Sequence, residues 1–297
     1  MKHKKSIISA FSFLSFIIFF SGITRHDVNE DKYLKLAQEK QFDCVGQIYT
    51  DTTARGSCVL ISERFVLSAA HVFIDNDTKV DTIQINGKSI VSFRQINGRT
   101  TAVHNLFVVF KGQRVRVKRL IIHPYYLDSL TKGSCDIALL ELETPCTAIT
   151  PANLNIRFNE INSNVVGVGF GASGPADRPD LVALNNKKIA GENVVDSITG
   201  PQYLGFETIL MCDFDHSNRK DCNKMGSSTP RPLEYICSGG DSGGGLFSKK
   251  GKGWELIGIC SGSNVDFGQF MKTYYYGQTM AWTRVSAFTN WVTNEMK

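Results

Sequence analysis
What most constrains this chain is the shortness of its apolar runs. From residue 45 onward they last only a few residues, rich in Val, Ile, Phe and Leu, and are broken by Gly, Asn, Asp or charged turns. Segments 45–50, 57–62, 65–68, 82–85, 106–110 and 137–142 read as one block of strands; segments 165–170, 188–190, 207–213, 246–248, 256–260 and 274–283 read as a second. Asn86-Gly87 and Asn97-Gly98 are hairpin-turn dipeptides. The glycines at 167, 169, 171 and 174 mark a turn-rich rim, because no helical pattern follows them to make a phosphate loop. Residues 25–40 are polar and partly helical, with a weak stripe of Leu34, Leu36 and Ala37. Helical spacing is firm only at Val285, Phe288, Trp291 and Val292, with Ser286 as the candidate cap. Two blocks of short strands and one terminal helix predict an all-β protein of paired antiparallel barrels. The expected division is 1–22 leader, 23–42 N-terminal segment, 43–155 first barrel and 156–297 second barrel.

The leader sets the compartment. Lys2, Lys4 and Lys5 precede an apolar stretch over residues 6–20, and Ser21-Gly22 offers small residues for cleavage. That order is a secretory signal peptide; the stretch is short for a bilayer span. Export, to the extracellular space or a periplasm, with no stable membrane insertion after cleavage, is therefore expected. The net charge of +5 falls to +2 without the three leader lysines. Such a balance does not suggest a nucleic-acid partner. Eight cysteines, none in a CxxC pair, argue against a zinc ribbon, and export lets disulfides persist. Asn76-Asp77-Thr78 is an acceptor site only in a glycosylating host. Asp75-Asn76-Asp77 reads as a solvated turn and not a calcium loop. No metal and no cofactor are expected.

Three islands carry chemistry. Two apolar strands lead into Ala69-Ala70-His71. Asp136-Ile137-Ala138-Leu139-Leu140 places an acid directly before an apolar strand. Gly239-Gly240-Asp241-Ser242-Gly243-Gly244 sets a serine in a turn whose backbone N–H groups can face a ligand. Alone, each has a bland counterpart: a core histidine, a strand-edge carboxylate, a serine in a glycine loop.

Together, in the order His, Asp, Ser, the islands resemble the trypsin/chymotrypsin family of serine proteases from about Val45 to the terminal helix. The resemblance implies a chymotrypsin-like fold of two packed six-stranded barrels with a C-terminal helix, and a secreted serine endopeptidase working through an acyl-enzyme. It implies Ser242 as nucleophile, His71 as the base that takes and returns its proton, and Asp136 as the group that orients His71. The Gly240 and Ser242 amides would form the oxyanion hole. Ser261 and Gly262 resemble the segment that pairs with bound peptide as an added strand. His3, His26, His104, His123 and His216 receive no role.

Departures from the family limit what carries over. No Ile-Val-Gly-Gly follows a basic residue, so Asp241 lacks its usual partner. It is expected to pair with another cation, or with a terminus made by cleavage after Arg25 or Lys40, without a conventional zymogen switch. The familiar disulfide beside the histidine is missing. By family position Cys237 and Cys260 face each other across the specificity pocket and are expected to bond, and Cys212 with Cys222 could close a loop. Eight cysteines otherwise allow 105 pairings. The pocket residues carried over are Ile236, Cys237, Ser238, Gly239, Ser261, Gly262 and Met280. Ile236 stands where trypsin-like members have an acid and Met280 where glycine is common. An apolar floor cannot offset burial of Lys or Arg, so an apolar, small substrate residue is expected. Leu233-Glu234-Tyr235, the Gly243-Gly244-Gly245-Leu246-Phe247 run and Asn193-Val194-Val195-Asp196-Ser197 resemble a mainly bacterial, exported branch. Protein or peptide substrates are the expected partners, with proteinaceous inhibitors a further class. Two alternatives remain at this point: a protease-like binding or adhesion protein with a blocked pocket, and an esterase using the same three residues.

Overall fold
The computed structural model describes residues 22–51, 53–85, 88–128, 131, 135–251, 253–264, 270 and 272–297. The expected leader lies outside them except for Gly22. In chain order the first strands are β1 (Gly22–Thr24), β2 (Val45–Thr50), β3 (Thr53–Leu60), β4 (Phe65–Ser68), β5 (Ile74–Ile85), β6 (Lys88–Thr100), β7 (Leu106–Phe110), β8 (Gln113–Ile122) and β9 (Ala138–Leu142). There follow β10 (Asn153–Leu154), β11 (Asn164–Gly169), β12 (Ser173–Pro175), β13 (Ile189–Val194), β14 (Ser197–Tyr203) and β15 (Phe206–Asp213). The last are β16 (Tyr235–Ile236), β17 (Gly245–Lys250), β18 (Gly253–Asn264) and β19 (Thr279–Arg284). Helices are few and short: α1 (Glu30–Ala37), α2 (Pro124–Leu127) and α3 (Thr289–Glu295).

Residues 74–100 form one compact unit, and the rest of the described chain forms the other. The smaller unit is the β5–β6 hairpin. Ile85 pairs with Lys88 across residues 86–87, which lie outside the described residues. The hairpin turn expected at Asn97-Gly98 is not one: both residues lie within β6. Asn97 has φ +54°, and the pairing register slips opposite it between Asp75 and Asp77. A turn-prone dipeptide here supplies the extra residue of a bulge.

In the larger unit, β2, β3, β4, β9, β8 and β7 close a six-stranded barrel in that order. Its interior follows from alternation: in β8, Val115 and Val117 point inward while Arg114, Arg116 and Lys118 stay in water. The second half is a sheet in the order β13, β11, β17, β18, β19, β15, β14, with β10 on the side of β18. It curls until its flanks meet. Asp196 N, just past β13, donates to Met211 O at 2.9 Å, and Asn193 Nδ2 donates to Asp213 O at 2.8 Å. The expected six-stranded second barrel is thus enlarged by β14 and β10, and single bonds replace a ladder at its seam. Its core includes Trp282, Tyr235, Tyr276, Ile257 and Leu210, each at most 2% exposed.

Two ends of the chain clamp this half. β1 is the middle strand of a small sheet, parallel to β12 and antiparallel to β16. Beyond it α1 is capped by Asn29, whose Oδ1 accepts from Asp31 N at 2.7 Å. It buries Tyr33 together with Ala37 of the expected stripe, while Leu34 and Leu36 are only half-buried. At the other end a tight turn over Val285–Phe288 precedes α3. Ser286 is not a helix cap. Its hydroxyl donates to Glu160, a fully buried carboxylate that also accepts from Arg284 Nη2 at 2.7 Å and Asn155 Nδ2 at 3.1 Å. The strand expected over 274–283 starts only at Thr279, because Tyr274 adopts φ +52° in a preceding turn.

Candidate active site
The three islands converge between the two halves of the larger unit. β4 brings the chain to Ala69 and Ala70, both fully buried, where any larger side chain would meet packed neighbours. The next residue, His71, sits in the turn Ala70–Phe73 with about a third of its side chain open to solvent. Asp136 lies two residues ahead of β9 and is 9% exposed. Ser242 lies in the turn leading into β17.

His71 Nε2 is 2.8 Å from Ser242 Oγ, and His71 Nδ1 is 2.8 Å from Asp136 Oδ2. The His71 backbone N–H donates to Asp136 Oδ1 at 2.9 Å, so the acid grips the ring and its own peptide together. Ser261 Oγ donates to Asp136 Oδ2 at 2.6 Å, and Thr283 Oγ1 donates to the Asp136 carbonyl at 2.8 Å. Burial alone would lower the His71 pKa, but the Asp136 charge and hydrogen bond outweigh it and hold it above its ordinary 6.5. Burial likewise pushes Asp136 up; the His71 charge and the bonds from His71 and Ser261 outweigh it and keep the carboxyl below its usual range. The arrangement can take a proton from an alcohol onto an imidazole whose tautomer is fixed from behind.

The turn before Ser242 presents two amides. The Gly239 carbonyl accepts from Ala172 N at 3.2 Å, so the Gly240 N–H, on the opposite edge of that trans peptide, points away from it. The Asp241 carbonyl accepts from Gly244 N at 2.7 Å, which turns the Ser242 N–H the other way as well. Neither amide is taken up by a hydrogen bond among the described residues. Gly240 has φ +99°, and a Cβ there would meet Gly171 Cα at 3.0 Å and Phe170 O at 3.1 Å. Only glycine fits. The two halves are stitched at this turn: Ser57 N donates to Ser242 O, and Ser57 Oγ to Gly240 O, each at 2.8 Å.

The expected pocket residues separate into two groups. Ser261 and Gly262 lie on β18, partly exposed beside the triad. Ile236, Cys237 and Met280 are at most 2% exposed and pack with Cys260 in the apolar core of the second half. Gly239 is exposed, whereas Ser238 is tied down, its N–H donating to Asp241 and its hydroxyl to Ala172 O. The expected cation beside Asp241 is also not there. Among the described residues its partners are the Tyr235 hydroxyl and the amides of Gly171 and Ser238. Sequence reasoning met Tyr235 only within Leu233-Glu234-Tyr235 and gave it no role.

All eight cysteines, Cys237, Cys260, Cys212 and Cys222 among them, stand as buried thiols in this structure. Burial, then Cys237, pushes the Cys260 thiol up. Cys212 feels burial, Asp196 and Cys237; Cys222 feels burial, Arg219 and Asp221. His123 is a core residue. Its Nδ1 accepts from Tyr125 N, its ring packs on Tyr203, Phe288 and Trp291, and burial lowers it to about 4. Asp196, Asp213, Asp215 and Glu234 line one small cavity. Burial raises Asp196 to about 7, helped by the Asp213 charge. No helix among the described residues is long and apolar enough to cross a membrane.

Two packed β-sheet halves with serine, histidine and aspartate meeting between them define a chymotrypsin-like protein. The chain belongs to the trypsin family, whose model matches residues 35–292. It is 27% identical over 268 residues to transmembrane protease serine 11C of Mus musculus, covering 87% of this chain and 52% of that protein. It is 28% identical over 261 residues to complement C1r-A subcomponent of Mus musculus, covering 84% and 32%. Against CLIP domain-containing serine protease B14 of Anopheles gambiae the identity is 26% over 259 residues, covering 81% and 64%. The chain therefore spans about half the length of the relatives it matches. In fold it is similar to mouse neuropsin, a serine protease expressed in the limbic system of the brain, with a TM-score of 0.57 at 17% identity, over 92% of this chain and 99% of that one. These relatives are animal proteins, and the expected leaning towards a mainly bacterial branch finds no support among them.

Proposed function
We propose that this chain is an exported serine endopeptidase. Ser242 attacks the substrate carbonyl, His71 takes its proton and returns it to the leaving amine, and Asp136 fixes the ring and stabilises the transient imidazolium. The Gly240 and Ser242 amides receive the developing oxyanion. A single observation carries this: unbroken hydrogen-bond contact from Ser242 through His71 to Asp136, at 2.8 Å on each side of the ring, beside two unengaged amides. Ser261 and Gly262 pair with substrate backbone along β18.

The apolar lining of Ile236, Cys237, Cys260 and Met280 favours a small apolar residue on the acyl side of the cut and disfavours Lys or Arg. In the oxidising compartment that the leader addresses, Cys237 and Cys260 bond to each other. Proteins or peptides are the substrates, and protein inhibitors occupy the same cleft. The near-complete burial of Ile236, Cys237 and Met280 also favours a second reading, a binding protein whose pocket is filled.

A fluorophosphonate probe separates the two. Covalent labelling of the mature wild type, absent in Ser242→Ala, is the expected result; an unlabelled, folded wild type refutes the hydrolase. A peptide library cut mainly after Lys or Arg refutes the specificity.

A further inference from the structure
The residue before the nucleophile is held in an unusual way. Asp241 is 1% exposed, and among the described residues every hydrogen bond to its carboxylate comes from a neutral donor. Oδ1 accepts from Gly171 N at 2.8 Å; Oδ2 accepts from Ser238 N at 2.9 Å, the Tyr235 hydroxyl at 2.5 Å and Ser238 Oγ at 3.4 Å. The fit is close on the amide side: a Cβ on Gly171 would stand 2.5 Å from the carboxylate, so only glycine lets that amide reach it. Tyr235 is itself 1% exposed on β16, which pairs with β1. Burial and the Asp241 charge push its phenol well up, so it stays a neutral donor.

Resting on the hydrolase reading above, we propose that Tyr235 is a positioning residue. Its hydroxyl, with the Gly171 and Ser238 amides, clamps the Asp241 carboxylate and so keeps the Gly240 and Ser242 amides aimed at the substrate oxygen. The turn transmits this directly. Asp241 N donates to Ser238 O at 2.9 Å, and Asp241 O accepts from Gly244 N at 2.7 Å. A carboxylate that swings away carries both neighbouring peptides with it. An ionised group without a cation is costly in such a site unless fully hydrogen-bonded, and each oxygen here has its donors. Burial raises Asp241 to about 6, and the Tyr235 bond opposes that rise. The titratable groups facing the clamp are Cys237 and Cys260, with Asp136 beyond Cys260.

The experiment compares full-length mature wild type, Tyr235→Phe and Ser242→Ala. It measures fluorophosphonate labelling, kcat and KM on a fluorogenic peptide across pH 5–9, and the melting temperature. Tyr235→Phe is expected to fold, to lose roughly 10–100-fold in kcat with KM nearly unchanged, and to move the acid limb of kcat up by about one pH unit. If Tyr235→Phe does not fold, Gly171→Ala, whose Cβ would displace the same carboxylate, is read in its place, and an unchanged kcat in that folded variant overturns the clamp. Unchanged kcat and pH profile in Tyr235→Phe would overturn the clamp and leave the hydrolase standing. A folded wild type that never labels removes the hydrolase, and the clamp with it.

Discussion
Glu160 offers a strong test of how the second half is held together. Its carboxylate is fully buried and accepts from Arg284 Nη2, Asn155 Nδ2 and Ser286 Oγ. Arg284 is 5% exposed; its Nη1 reaches Glu207 O at 3.4 Å, and its guanidinium lies over the Phe158 ring. In Glu160→Ala the guanidinium keeps its charge and loses its only anionic partner among the described residues. Breaking a buried pair from one side costs about 3–5 kcal/mol. At 2–4 °C per kcal/mol for a domain of this size, the melting temperature falls by roughly 10 °C. Replacing both partners, Glu160→Met with Arg284→Met, removes the charge along with its desolvation, and recovers most of the loss. Urea unfolding followed by circular dichroism and by tryptophan fluorescence measures both. The end of β19 is also where Thr283 holds the Asp136 carbonyl, so activity in the single variant should fall with the folded fraction and not before it. A loss under 1 kcal/mol in Glu160→Ala, or a double variant as unstable as the sum of the singles, refutes the reasoning.

Two further predictions concern the turn and the acidic cluster. Gly240→Ala puts a methyl group against Gly171 Cα and Phe170 O at a positive φ, so the amide leaves its place and kcat falls about 10²–10³-fold with the fold retained; a loss under threefold, by steady-state kinetics, contradicts it. Asp196 binds its proton more tightly folded, at about 7, than its ordinary 3.8. The stability linked to that proton is complete below pH 3.8 and disappears as pH rises through about 7. Asp196→Asn should therefore gain stability over wild type at pH 8 and flatten the dependence between pH 5 and 8, measured by denaturant midpoints.

The parts of the fold legible in the sequence are those where one residue type admits one environment. Ala69 and Ala70 before His71 are small because the strand end is packed, and glycines surround Ser242 because the turn needs them. The strands β4 and β7 were legible as the apolar runs Phe65-Val66-Leu67 and Leu106-Phe107-Val108-Val109-Phe110. β8 was not, because its inward valines alternate with Arg114, Arg116 and Lys118, and the charges broke the run. β14 was missed because most of it is solvent-exposed, leaving no apolar pattern to see. Ser286 looked like a cap because local spacing cannot register Glu160, which lies 126 residues away in the chain. Tyr235 failed for the same reason. Its role depends on a carboxylate that only the folded turn brings to it, and an aromatic in an apolar stretch ordinarily signals core and nothing more.

The β5–β6 hairpin leaves and rejoins the larger unit at a point already closed behind it, where Thr101 N donates to Phe73 O at 2.8 Å. The stem is thus a docking port in the polymer: whatever length of chain is spliced between residues 73 and 101 starts and finishes at adjacent backbone positions. That port opens two residues downstream of His71 in the chain, so a cassette exchanged there keeps the same two attachment residues whatever its length.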